Sequence, residues 1–136
     1  VDGDIQDWMS RRNDWSAGDH RSWAIRSAGD GRLLGSLSVF QIDRDQRDAE
    51  VGYAVIPAER GSGVATAAVR LAAVHAFGPL GLHRLSLYHA VENFQSCRVA
   101  TKVGFTLEGT LRKSYRYADG LHHDEHVHGL LDTDAM

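Results

Sequence analysis

Hydrophobic and polar residues alternate along several short segments of the chain, and this period of two predicts β-strands. The predicted strands cover residues 22–27, 33–42, 49–56, 84–88, 110–118 and 122–131. A turn rich in Ala, Gly and Asp separates the first two, and Asp119-Gly120 has the chemistry of a hairpin turn between the last two. Gly35 in the second strand favours a bulge.

Three other segments predict helices. Residues 4–12 form a short amphipathic pattern that ends at a turn over residues 13–18. A helix that opens at the glycines of residues 61–63 and continues to residue 77 is apolar on nearly all sides, which predicts burial against a sheet. A Gly-Pro pair ends it. Asn93 is the expected N-cap of a third helix, which runs to residue 103.

The lengths of the connections predict how the strands pair. Short turns join the first three strands, which should therefore be antiparallel. A helix joins the third strand to the fourth, and this kind of crossover makes the two strands parallel. The predicted fold class is therefore α/β with a mixed sheet rather than a doubly wound one. A length of 136 residues fits a single domain.

Composition narrows the expected partners. Lys and Arg number 15 and Asp and Glu number 18, so the net charge is -3 and we expect no nucleic-acid partner. Cys97 is the only cysteine, which excludes an internal disulfide framework and a Cys-rich zinc site. It also fits a reducing compartment, so we expect a cytoplasmic location. The sequence has no run of about 18 apolar residues, so we expect no membrane partner.

The clearest chemistry lies where the third strand ends and a helix begins, in the segment RGSGVAT over residues 60–66. Amide N–H groups and the positive dipole end of a helix attract anions, and glycine lets a phosphate approach the backbone. Arg60 adds a charged donor. The segment lacks the Lys of a Walker P-loop, and Thr66 stands where a Rossmann fingerprint has its third glycine. On this segment alone, an anion site and a tightly packed helix start both remain open.

Residues 60–65, RGSGVA, fit the Arg/Gln-x-x-Gly-x-Gly/Ala signature of the GNAT acetyltransferases. The stretches that resemble the RimJ/RimL-type branch are EVGYAVIPAERGSGVAT, LGLHRLSL and ENFQSCRVATKVGFTLEGTLRKSYRYADGLHHDEHV. The resemblance runs from about residue 23 to residue 131. It implies the GNAT fold, in which antiparallel strands accompany one parallel pair that splays around acetyl-CoA. Members of this family usually open with a further strand and helix, which we expect to be missing from this sequence.

The resemblance also implies a cofactor site, residue by residue. Backbone amides expected to bind the diphosphate of acetyl-CoA belong to Arg60, Gly61, Ser62, Gly63, Val64, Ala65 and Thr66. The pantetheine arm should run along Tyr53, Ala54, Val55 and Ile56. Asn93 and Ser96 match the E-N-x-x-S element of the family. Asn93 should hydrogen-bond the arm, and Ser96 should protonate the departing thiolate.

Acetyl transfer to an amine needs a proton acceptor, because amines are mostly cationic at neutral pH. Glu50 is the candidate base, directly or through water, since related enzymes use a carboxylate on this strand; a solvated or ion-paired residue is the alternative. For Ser96 the alternative is a first-turn serine that only binds backbone. The further candidates are Tyr88, Tyr115 and Tyr117, each a proton donor or a packed aromatic.

The last predicted strand is rich in residues that bind metals, namely His122, His123, Asp124, Glu125, His126 and His128. On a strand, Asp124, His126 and His128 would share one face, and two His with one carboxylate form a known metal triad. GNAT chemistry uses no metal, however, so we expect no metal cofactor, and the role of these histidines stays open. We expect Cys97 to be a small buried side chain rather than a nucleophile.

We therefore expect an N-acetyltransferase that transfers acetyl from acetyl-CoA to a primary amine by direct attack. The acceptor would be a protein N-terminus or a small molecule. The alternative is a non-catalytic acyl-CoA sensor, which would keep Arg60, Gly63 and Asn93 but would need neither Glu50 nor Ser96. A homodimer through an exposed sheet edge would fit either function.

Overall fold

The computed structural model describes residues 20–134 of the chain. Its elements are β1 (Arg21–Arg26), β2 (Leu33–Asp43), β3 (Asp48–Val55), α1 (Val64–Phe77), β4 (Arg84–Ala90), α2 (Phe94–Val103), β5 (Thr106–Arg116) and β6 (His122–Leu131). The strands form one sheet in the order β1-β2-β3-β4-β6-β5. The helix and turn predicted at residues 4–18 lie outside the described residues.

The pairing of the strands confirms the predicted mixed sheet. β1, β2 and β3 pair antiparallel through short turns, and β3 pairs parallel with β4 across α1. The predicted bulge is also present, because the register between β1 and β2 skips Leu34, beside Gly35. Among residues 20–134, neither α1 nor α2 has the length and hydrophobicity of a membrane span.

The hairpin formed by β5 and β6 begins earlier in the chain than predicted. β5 starts at Thr106 rather than at residue 110, because Gly104 ends α2 in the left-handed region (φ 114°) and Phe105 then enters the core. β5 also ends at Arg116, since the turn closes with a hydrogen bond from the Tyr117 amide to the Leu121 carbonyl. β4 is longer than predicted and extends to Ala90. These differences lengthen the strands that surround the candidate site.

The helix α1 packs against the sheet as predicted, although it is apolar on nearly all sides and only one side is buried. Its buried residues are Ala68, Val69, Ala72, Ala73 and Ala76, and their small side chains let the helix lie close to the sheet. Leu71 and Val74 lie on the other side and are 69% and 58% exposed. A helix of mostly Ala and Val is apolar everywhere, so the pattern alone did not reveal which side faces the sheet.

The parallel pair of strands separates after three residue pairs. Asp48, Ala49 and Glu50 of β3 pair with Arg84, Leu85 and Ser86 of β4, and the strands then diverge. We call the opening between residues 51–55 of β3 and residues 87–90 of β4 the fork. On this side of β3 the backbone N–H and C=O groups are not used by β4. The fork therefore offers an unpaired strand edge inside the sheet.

Candidate functional site

The loop that connects β3 to α1 has a backbone that only glycine adopts easily. A single 3-10 turn at Pro57–Glu59 follows the strand, and Gly61 and Gly63 then take φ values of 81° and 84°. The Ser62 hydroxyl donates to the Glu59 carbonyl at 2.6 Å. The Arg60 Nε donates to the Val55 carbonyl at 3.2 Å. These bonds tie the loop to the end of β3 and fix where α1 begins.

The start of α1 leaves its backbone donors unused. Gly63 is the N-cap and supplies no side-chain hydrogen bond. The first amide with a backbone acceptor is that of Ala67, which donates to the Gly63 carbonyl at 3.1 Å. In the described part of the chain the amides of residues 61–66 meet no acceptor. Uncapped amides at the positive end of a helix dipole form an anion site.

A cleft of about 540 Å³ opens in front of these amides. It is lined by the predicted diphosphate and pantetheine residues apart from Ile56 and Ser62, and also by Asn93 and Ser96. Two cations of α2, Arg98 and Lys102, face the same cleft, and the sequence analysis did not single them out. Their spacing of four residues on a helix was the available signal. The cleft therefore presents uncapped amides and cations together.

The start of α2 brings three polar side chains together. Asn93 is its N-cap as predicted, and the Oδ1 atom accepts a hydrogen bond from the Ser96 amide at 3.2 Å. The Tyr53 hydroxyl donates to the buried Ser96 Oγ at 2.9 Å. Burial raises the pKa of Tyr53, and its bond to Ser96 opposes that shift. Tyr53 thus stays protonated at neutral pH, a side-chain role that the sequence analysis did not foresee.

A second cavity, of about 210 Å³, continues the cleft through the fork. It shares Tyr53, Asn93 and Ser96 with the cleft, and Phe40 and Tyr88 line it from the other face of the sheet. A thioester held in the cleft would meet an acceptor arriving from that other face. The sheet therefore has one opening at which two ligands can meet.

Glu50 is the last residue of β3 that pairs with β4, at the closed end of the fork. Its neighbours Ala49 and Val51 are buried in the core, so Glu50 lies on the opposite face of the sheet, away from the helices. Burial raises the pKa of Tyr88 first, and the negative charge of Glu50 raises it further. Glu50 is not among the described residues that line either cavity.

The other tyrosine candidates differ in position. Tyr117 lines the second cavity, and its hydroxyl donates to Glu125 at 2.7 Å. Burial, followed by this hydrogen bond, strongly raises the pKa of Tyr117. Tyr115 is 59% exposed and lines neither cavity of the described chain. Tyr88 and Tyr117 are therefore at the site, whereas Tyr115 is not.

The histidines of β6 separate into two groups. His126 and His128 point to the helix side, where their ring nitrogens come close to His89 of β4 and to the half-buried Cys97 of α2. Asp124, which alternation places on the same face, accepts a hydrogen bond from the Lys113 amide and is outside this group. His123 binds carboxylates of Glu92 and Asp119 at the opposite end of the strand. The possible triad of Asp124, His126 and His128 is therefore not formed, and β4 and α2 supply the side chains that meet the two histidines.

Comparisons with known proteins place these features among acetyltransferases. The family model described as "Acetyltransferase (GNAT) domain" matches residues 2–106. A putative ribosomal N-acetyltransferase, YdaF of Bacillus subtilis, is 38% identical over 102 residues, which cover 75% of this chain and 55% of that protein. The probable N-acetyltransferase YjcK of the same organism is 39% identical over 113 residues, covering 82% of this chain and 62% of that protein. The chain therefore spans less than two thirds of the length of these relatives.

A solved structure has the same fold as this chain. The crystal structure of a probable acetyltransferase, 32% identical in sequence, superposes with a TM-score of 0.79 and covers 93% of this chain and 68% of that chain.

Proposed function

We propose, because the chain belongs to the GNAT acetyltransferase domain family, that it transfers acetyl from acetyl-CoA to a primary amine. The observation that carries this proposal is the row of unused amides at residues 61–66, facing a cleft that continues through the fork. A diphosphate suits such amides because each oxygen accepts hydrogen bonds and carries charge. Arg98 and Lys102 would add positive charge beside it.

The pantetheine arm suits the unpaired edge of β3. The arm would run along Tyr53, Ala54, Val55 and Ile56 as a neighbouring strand would. The Val55 carbonyl already accepts from Arg60 and the Ile56 amide already donates to the Leu34 carbonyl, so the Tyr53 backbone and the Val55 amide are the groups proposed to bind the arm. Asn93 uses its Oδ1 as a cap, while its Nδ2 meets no acceptor in the described chain and can donate to the arm. The thioester would then lie beside Ser96, where the cleft and the second cavity meet.

The chemistry we propose is direct attack of a neutral amine on the thioester carbonyl. The new C–N bond forms as the C–S bond breaks, the amine loses a proton, and the coenzyme A thiolate gains one. Ser96 is suited to supply that second proton, because it accepts from Tyr53 and keeps its own hydrogen to donate. Glu50, directly or through water, would accept the proton of the amine from the opposite face.

For the acceptor we propose the α-amino group of a protein, because YdaF is named a ribosomal N-acetyltransferase. Small-molecule amines are the other acceptor class that the open second cavity admits. A cytoplasmic location, a single domain and a homodimer through the edge strand β5 remain parts of this proposal.

A second candidate is a non-catalytic acyl-CoA-binding module. The absence of Glu50 from both cavity walls favours it, within the residues that the structure describes. Such a module would bind acetyl-CoA through the same loop without transferring the acetyl group. Turnover separates the two candidates, whereas binding of acetyl-CoA does not.

Two measurements test the proposal. Calorimetric titration with acetyl-CoA compares the unchanged protein with Gly63→Ala and with Gly31→Ala, since both glycines have a positive φ (84° and 73°) and only Gly63 lines the cleft. Gly63→Ala should weaken acetyl-CoA binding by about tenfold or more, because alanine disfavours the backbone that aims the amides. Gly31→Ala should leave the affinity unchanged.

Release of coenzyme A is then followed with a panel of peptides that have free N-termini and with small-molecule amines. The same peptides with acetylated N-termini are the controls. Acetyl-CoA binding without turnover on any acceptor supports the non-catalytic module. No binding of acetyl-CoA, or equal losses of affinity in both glycine variants, contradicts the cofactor site itself.

A further inference from the structure

Four side chains from three elements meet on the helix side of the sheet. They are His89 of β4, Cys97 of α2, and His126 and His128 of β6. One ring nitrogen of each histidine and the Cys97 sulfur all lie within 4.8 Å of one another. We call these four residues the His3Cys cluster. None of them belongs to the cofactor-binding residues described above, although Cys97 directly follows Ser96.

The pairing of β4 with β6 explains why the histidines converge. His89 is directly opposite His126, and His128 is opposite Leu87. Residues that face each other on paired strands point to the same side of a sheet, and so do residues two apart on one strand. α2 covers that side of the sheet and adds Cys97. The cluster is therefore set by strand register.

The hydrogen bonds of the cluster fix where the protons of two rings lie. His89 Nδ1 lies 2.7 Å from the Ala90 carbonyl oxygen, which requires that nitrogen to carry the proton. His89 Nε2 therefore accepts a hydrogen bond from His128 Nε2, at 2.9 Å, and a metal ion bound to both nitrogens would replace this bond. An imidazole whose Nδ1–H binds a backbone carbonyl is oriented as metal-binding histidines usually are.

Two other ring nitrogens of the cluster are buried without a hydrogen-bond partner among the described residues. The Nδ1 atoms of His126 and His128 are buried and have no hydrogen-bond partner in the described part of the chain. His128 is only 1% exposed, and His89 is 4% exposed. Buried polar atoms of native proteins nearly always have a partner, and an ion bound within the cluster would be one such partner.

We propose that His89, Cys97, His126 and His128 bind one Zn²⁺ ion as a closed structural site. Three imidazoles and one thiolate are a ligand set that zinc prefers, and four protein ligands leave no open position for catalysis. Tetrahedral zinc places neighbouring ligand atoms about 3.3–3.6 Å apart, so the cluster needs to contract by about 1 Å at its widest. The proposed zinc takes no part in acetyl transfer, for which we expected no metal.

The ion would join α2 to β4 and β6 through side chains. Zinc binds the thiolate form of cysteine, so the Cys97 thiol releases its proton to solvent when the Zn–S bond forms. The competing interpretation is a metal-free group of neutral histidines that only fill the core. The two differ in metal content, spectrum and stability, none of which depends on acetyl transfer.

The test uses the 136-residue chain without an affinity tag, stripped with a chelator and then given one equivalent of Zn²⁺. After gel filtration we expect one zinc per chain and a higher unfolding midpoint than for the stripped protein. Co²⁺ in place of zinc should give the visible bands of a tetrahedral ion together with a near-ultraviolet thiolate-to-cobalt band. Only the last of these reports on Cys97.

The variant Cys97→Ser tests whether Cys97 is a zinc ligand, because serine removes the sulfur and preserves the size of the side chain. It should abolish the thiolate band and weaken zinc binding by about 100-fold or more. His122→Gln is the matched control, since His122 is an exposed histidine of the same strand and is outside the cluster. It should bind zinc like the unchanged protein. Circular dichroism of each stripped variant verifies that it is folded.

Three results overturn the proposal. The first is a chain that retains no zinc after gel filtration. The second is a cobalt complex without a thiolate band. The third is zinc binding that Cys97→Ser leaves unchanged, which would indicate an adventitious ion only.

Discussion

The hydroxyl of Tyr53 donates to the hydroxyl oxygen of Ser96 at 2.9 Å and so connects the fork in the sheet with the first turn of α2. The two residues are 43 positions apart, and both line the cleft and the second cavity. Tyr53 thereby orients Ser96 and leaves the serine hydrogen directed elsewhere. In the proposed reaction that hydrogen goes to the coenzyme A thiolate.

Tyr53→Phe removes this hydrogen bond and keeps the packed ring. We expect kcat to fall by about tenfold with little change in KM for acetyl-CoA, because Ser96 loses its orientation while the cofactor contacts remain. The free energy of unfolding should drop by about 0.5–1.5 kcal/mol. Steady-state kinetics and urea titration measure both. Tyr115→Phe, at an exposed position outside the cavities, should change neither value.

Glu50→Gln tests the proposed base. A positioned base contributes about 10²–10⁴-fold, so kcat should fall by that order while the calorimetric affinity for acetyl-CoA stays the same. Asp45→Asn, in the exposed loop that follows β2, is the control and should be as active as the unchanged protein. Unaltered turnover of Glu50→Gln would remove this residue from the mechanism.

Gly35→Ala should displace β3, the strand along which we propose that the cofactor binds, because Gly35 lies on the neighbouring strand β2. A Cβ at Gly35 would lie 2.2 Å from the carbonyl oxygen of Ala54, so β2 and β3 would have to move apart. We expect a loss of about 2–3 kcal/mol in the free energy of unfolding. We also expect weaker acetyl-CoA binding, because Ala54 lines the cleft. Gly109→Ala is the matched control, since its Cβ would meet only Val127 Cγ1, at 4.0 Å.

His123 should make stability depend on pH. Its ring nitrogens lie 2.6 Å from Asp119 and 2.8 Å from Glu92, and these carboxylates, Asp119 first, raise the pKa of His123. The edge of the Tyr117 ring also packs against it. Because the folded-state pKa is above the unfolded value of about 6.5, this stabilisation is fully present below pH 6.5. It is lost as pH rises through the higher folded-state pKa.

The comparison of the unchanged protein with His123→Gln isolates this effect. The difference in free energy of unfolding should be largest at about pH 6 and should shrink towards about pH 9. His122→Gln, which removes the exposed neighbour, should show no such trend. A difference that does not change with pH would mean that the charge of His123 contributes nothing.

Features that depend on neighbouring residues could be predicted from the sequence. Asn93 caps α2 as expected because a cap needs only the amide three residues later. The parallel pairing of β3 with β4 followed from the helical connection between them. The start of α1 directly after the loop glycines also followed from the sequence. Each of these has its physical cause within a few residues.

Features that depend on distant register could not be predicted in this way. The alternation along β6 correctly placed His126 and His128 on one face, but it could not show that β4 adds His89 rather than Asp124 joining them. The hydroxyl pair of Tyr53 and Ser96 depends on how α2 lies over the fork. Leu71 and Val74 look as apolar as the buried residues of α1, and only packing distinguishes them.

For the proposed function, the divergence of β3 and β4 after Glu50 would also determine the shape of an effective inhibitor. A bisubstrate analogue, in which an acceptor mimic is linked to the sulfur of coenzyme A, would have to thread the sheet rather than lie on its surface. Its linker would need to be slender where it passes between Tyr53 and Tyr88, and could broaden only beyond them. In the proposed binding mode only the acceptor half would reach the second cavity, whereas the nucleotide half would stay in the cleft.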